Sequence, residues 1–175
     1  MNLYRNGFVV SQLNNQYGSY NAWPLSDLSD DLTAESLTNE ADDRWFIKYD
    51  IQHIIPDLNF IKGYYNYCKS INLDVKVLLF ESLNSRIVVD DKIEIKEVLG
   101  FDCIGTVYYS YLHEEYSEYR QDLLEKNITL NRNGLFDSFE EVLYFVELRK
   151  KAIASGINIE DFWDETIVKI SIVDI

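Results

Sequence analysis

Two strand-like segments, at residues 75–80 and 93–104, follow one another with only turn signals between them. Val75-Lys76-Val77-Leu78-Leu79-Phe80 is the short continuous apolar run of a buried strand. Asn84-Ser85 and Asp90-Asp91 read as turns. Residues 93–104 supply one or two further strands, with Gly100 at a bulge or bend. A doubly wound nucleotide-binding sheet needs a helix between successive parallel strands. The missing helix excludes that class here.

The other segments fall around this pair. Trp45-Phe46-Ile47-Lys48-Tyr49 is rich in residues that suit a strand. Pro56-Asp57 opens a helix to about Ile71, whose Leu58, Ile61, Tyr65, Cys68 and Ile71 share one face. Residues 106–126 read as a second helix with a stripe of Tyr108, Leu112, Tyr116, Tyr119 and Leu123. A third runs from Phe139 to Ser155, between the capping box Ser138-x-x-Glu141 and the terminator Gly156. Its apolar face is Phe139, Val142, Leu143, Val146 and Ile153. Residues 166–172 alternate polar and apolar as a half-buried strand does. The order is strand, helix, strand, strand, helix, helix, strand. The expected fold is α+β (mixed α/β): a single domain over residues 1–175, with a central sheet of four to five strands packed by about three helices.

Residues 11–43 are polar, rich in Asn, Ser and Asp, and without strong periodicity; they read as a long loop or weakly structured segment before a core at 44–175. The loop holds Asp27, Asp30, Asp31, Glu35, Glu40, Asp42 and Asp43, with no Lys or Arg between the first and the last. The whole chain leans the same way, with 30 acidic residues against 16 basic and a net charge of -14. Solubility of a small domain requires a magnitude of only about 2–8. The surplus repels phosphate backbones and anionic membrane surfaces, and it attracts basic proteins. No secretory signal and no long apolar run is visible, so a cytoplasmic protein without nucleic-acid or membrane partners is expected. Cys68 and Cys103 stand far apart and read as reduced thiols.

Catalytic patterns are missing. His53 and His113 are the only histidines, and His113-Glu114-Glu115 lacks the second His of a zinc-protease helix, which leaves an exposed acidic helix face. Cys103 lies in an apolar run and reads as a buried, inert thiol. Residues 100–106 have the glycine spacing of a phosphate loop. They lack its Lys and place Asp102 where phosphate would approach, so they read as a structural turn. Adjacent carboxylates such as Asp42-Asp43 and Glu140-Glu141 carry no sign of a raised pKa. No enzyme activity, metal or cofactor is expected.

Two acidic groups stand out as partner surfaces. One is the 27–43 set. The other is Glu160, Asp161, Asp164 and Glu165 around Phe162 and Trp163, where an exposed aromatic would anchor a partner. The alternative for both is a solvated surface, with Trp163 plugging the core. Tyr64, Tyr67 and Tyr109 lie off the helical stripes, which leaves them for a recognition surface or for partial burial.

Val98-Leu99-Gly100-Phe101-Asp102, followed by Asn131-Arg132-Asn133-Gly134-Leu135-Phe136-Asp137-Ser138-Phe139-Glu140-Glu141, resembles stretches of the immunity proteins of bacterial polymorphic toxin and contact-dependent growth inhibition systems. Those families share no functional motif, so no site residue carries over. The resemblance implies toxin neutralisation in the bacterial cytoplasm, through binding of a cognate, basic, nuclease-like toxin domain. The other expectations are a non-enzymatic adaptor or homo-oligomeric structural protein, and a carboxylate-dependent hydrolase. The oligomeric state stays open.

Overall fold

The computed structural model describes residues 4–11, 57–70, 72, 74–83, 93–104, 110–156 and 166–175. Within them lie four strands and three helices: β1 (Tyr4–Ser11), α1 (Leu58–Ser70), β2 (Lys76–Ser82), β3 (Glu94–Ile104), α2 (Tyr111–Glu125), α3 (Phe139–Ala154) and β4 (Thr166–Asp174). The mixed α+β class is as expected, and the first described strand is one that the sequence reading did not anticipate. It is Tyr4–Ser11, whose register pairs Phe8 with Leu79 and Val10 with Val77. The segment at 45–49 lies outside the described residues.

The strands form one antiparallel sheet in the order β1-β2-β4-β3. β2 and β4 are therefore central. Along β2, Val77 and Leu79 face α1 together with Phe8, Val10 and Val173. Leu78 and Phe80 face α2 and α3 together with Val168 and Ile170. Burial on both faces explains the unbroken apolar run of β2, since neither alternate position meets water. It also makes β4 more buried than its alternation implies.

The helices start and stop where capping chemistry is available. Asp57 Oδ1 accepts from the amides of Asn59 and Phe60 and opens α1. Ser138 and Glu141 form the expected capping box of α3, and Gly156 ends that helix at φ +79°. The buried faces are rotated from the expected ones. Tyr64 is buried with Phe60, Ile61 and Cys68, whereas Tyr65 is only half-buried. Tyr64 therefore belongs to the core, not to a recognition surface. In α3 the buried positions are Val142, Phe145, Val146 and Arg149, while Leu143 points to solvent.

Of residues 93–104, Glu94–Ile104 make one strand, not two. Gly100 sits at a bulge, as expected, but residues 100–104 continue the strand and are not a turn. The resemblance-bearing passages meet there. Phe101 and Phe136 exchange backbone hydrogen bonds of 2.9 and 3.1 Å, and Asn131 and Asn133 donate to the Leu99 carbonyl at 2.9 and 3.0 Å. Packing and capping account for this motif.

Candidate partner-binding surface

The α2 and α3 pair exposes the clearest acidic surface among the described residues. In α2, Leu112, Glu115, Tyr116, Tyr119 and Leu123 are buried. That leaves Glu118, Asp122 and Glu125, at spacings of four and three residues, as one exposed stripe. Two contacts set the direction of α3. Arg149 meets Glu115, and Phe145 packs edge-on against Tyr119, so the helices run antiparallel. The C-terminal half of α2 therefore lies beside the N-terminal half of α3, which exposes Glu140 and Leu143. Leu124 is exposed as well.

Among the described residues, no ion pair holds Glu118, Asp122, Glu125 or Glu140. The last turn of α2 carries Glu125 and no base. A helix C-terminus is the negative end of the macrodipole, so an acid there costs stability where a lysine would add it. The exposed bases of α3, Lys150 and Lys151, sit at its other end. The result is an acidic patch along the α2–α3 side; the exposed Arg120 and Leu124 lie on the other flank of α2, and Lys126 follows its last turn.

The thirteen acidic and aromatic residues expected to bind a partner are Asp27, Asp30, Asp31, Glu35, Glu40, Asp42, Asp43, Glu160, Asp161, Phe162, Trp163, Asp164 and Glu165. All of them lie outside the described residues. The expected acidic face at His113-Glu114-Glu115 needs correction. Glu115 is buried, and both its oxygens accept from Arg149, at 2.6 and 2.8 Å. Arg149 is fully buried.

A second polar group lies under the start of α2. Asp102 is fully buried on β3. Its Oδ1 accepts from the Cys103 amide at 2.6 Å and from the Ser110 hydroxyl at 3.0 Å. Its Oδ2 has no partner among the described residues. Burial raises its pKa to about 7, with the two hydrogen bonds opposing the shift. Sequence reading placed Asp102 in a turn where it would repel phosphate, and did not anticipate its burial within the apolar run of β3. The expected hydrolase would need two convergent acids in a reachable pocket. Asp102 is enclosed, and Glu115 is committed to Arg149, so these two buried groups do not form that arrangement.

Asp102 makes stability depend on pH in a defined direction. An unfolded aspartate titrates near pH ~3.9. The folded protein holds its proton up to about 7. The stabilisation is therefore complete below pH ~4, declines as the unfolded chain ionises, and levels off once pH passes the folded value. Asp102→Asn keeps the oxygen acceptor and cannot ionise. Denaturant titrations should show the variant gaining on the parent by a few kcal/mol between pH ~4 and ~8. A constant difference across that range would mean that Asp102 does not titrate there.

Glu81 lies between Lys169 at 2.9 Å and Arg5 at 3.8 Å, across three strands. Cys68 and Cys103 are buried, as expected of unreactive thiols. Among the described residues, no three His, Cys, Asp or Glu side chains gather as a metal site, and no helix is long and apolar enough to cross a membrane. No family model, curated protein or solved structure matches this chain.

Proposed function

We propose that this chain is an antitoxin-type immunity protein of a bacterial toxin system. It acts in the cytoplasm by binding a cognate, basic, nuclease-like toxin domain, and it performs no catalysis. The observation that supports this most is the unpaired acidic patch on α2 and α3 in a chain of net charge -14. A nuclease domain carries Lys and Arg to hold phosphate, and such a surface is the electrostatic complement of the patch. Charge attraction speeds association. The acidic segments at 27–43 and 160–165 extend the same complementarity in sequence.

The test combines capture with protection. The tagged protein is incubated with source-cell lysate at low and high salt, and retained proteins are identified by mass spectrometry. The expected result is a basic toxin domain, held more weakly at high salt. Co-expression should rescue growth from that domain. Glu118→Lys, Asp122→Lys and Glu125→Lys combined should slow association by about tenfold or more. Absence of any such partner, together with failure to protect against toxins encoded nearby, would sink the proposal.

A further inference from the structure

β3 lies at the edge of the sheet, and its outer edge is treated in two ways. At Phe101 the Phe136 backbone covers it in an antiparallel bridge. Between Glu94 and Val98, no backbone hydrogen bond among the described residues reaches that edge. Two apolar side chains stand exposed on the same stretch, Ile95 at 36% and Val98 at 49%. An open strand edge with apolar side chains is a template for another strand.

Its charges define the strand that fits. In an antiparallel pairing centred on Ile95, the segment Glu94-Ile95-Lys96 is complementary to itself. Ile95 meets Ile95, and Glu94 meets Lys96 on both sides of the two-fold axis, where each Lys96, already paired with Asp174 of its own chain, would be shared between the two carboxylates. Opposite charges and apolar pairs directly across a ladder each stabilise it. Lys96 is the bulged residue between Ile95 and Glu97, and a bulge normally discourages edge pairing by twisting the strand. Here it limits the pairing to a short stretch. Phe136 already closes the edge further along, so a two-fold contact ends with the dimer and does not extend into a fibre.

We infer that the exposed Glu94–Val98 edge of β3 is a self-association surface that pairs with the same stretch of a second copy of this chain. The contact is independent of the acidic patch on α2 and α3 and would leave that patch free. A strand pair of about five residues is smaller than the roughly 1,200 Å2 of a stable interface, so dissociation constants on the order of 10–100 µM are expected.

Sedimentation velocity from about 1 to about 200 µM provides the test. A concentration-dependent dimer is expected for the parent. Glu94→Lys and Lys96→Glu, made singly, each place like charges opposite one another at two symmetric positions; Lys96→Glu also loses the pair with Asp174, so Glu94→Lys is the cleaner of the two. Each should weaken the dimer by about tenfold. The double variant E94K/K96E restores the complementarity and should restore the dimer. Circular dichroism melts confirm that each variant is folded. A monomer throughout the range, a dimer indifferent to the single reversals, or a double variant that fails to recover would each overturn the inference.

Discussion

Gly100→Ala should lower stability by roughly 3–5 kcal/mol. Gly100 has φ +143°, a backbone conformation that residues with a Cβ rarely adopt. A Cβ at this position would stand 2.6 Å from the Phe136 carbonyl oxygen and 2.7 Å from the Leu135 Cβ. The first neighbour is backbone, so it yields only if the segment moves away from β3. That movement would break the paired hydrogen bonds between Phe101 and Phe136 and expose Leu135 and Phe136, both fully buried. Urea titration gives the loss, and hydrogen exchange locates it. The Phe101 and Phe136 amides should lose protection before those of β2. A loss below about 1 kcal/mol would show that the joint can widen without disturbing the core.

Arg149→Met is the second severe change. Arg149 is among the largest fully buried side chains of the described residues and holds both oxygens of Glu115. Removing it strands a carboxylate among Tyr119, Phe145 and the rest of the helix–sheet core, at a cost of about 3–5 kcal/mol. Most domains have only about 5–15 kcal/mol to lose. The double variant Glu115→Leu/Arg149→Met buries no charge and should regain most of the loss. Thermal melts of the single and double variants check this. A double variant no better than the single would show that Arg149 contributes mainly through contacts other than Glu115.

The same pair shows why the sequence was only partly readable. Hydrophobic periodicity locates α2 and α3, because Leu112, Tyr116, Tyr119 and Leu123, and then Val142 and Val146, repeat at helical spacing. Periodicity treats every charge as solvent-facing, so it exposes Glu115 and Arg149, which are buried against each other. It also centres the α3 stripe on Leu143, where burial of Arg149 turns that residue outward. β1 escapes for another reason: Arg5, Asn6 and Gly7 interrupt its apolar residues at the bulge. In α1, Tyr64 and Tyr65 are the same residue type, and only the neighbouring sheet decides which is buried.

Composition was the better guide to the candidate surface. The acidic excess was plain in the residue counts, but the arrangement of Glu118, Asp122, Glu125 and Glu140 on one patch depends on the antiparallel packing of two helices. That packing is fixed by Glu115–Arg149 and Tyr119–Phe145, contacts between residues 34 and 26 positions apart. Nothing in a local window reveals them.

The place of β4 in the sheet has a consequence for synthesis. This strand is the last of the described elements to be made, yet it lies between β2 and β3. Until residues 166–174 leave the ribosome, β3 has no neighbouring strand in the sheet, and β2 has one open side. The nascent chain can form helices and the β1–β2 ladder, but the two halves of the sheet stay unjoined. Contacts as distant in sequence as Val77 with Val173 must then close late, at the entropic cost of a long loop. Folding therefore completes only after translation of this region. A protein with the proposed task would guard the cell only through molecules already finished, so a standing stock, not a burst of new synthesis, would set the protection available when a toxin appears.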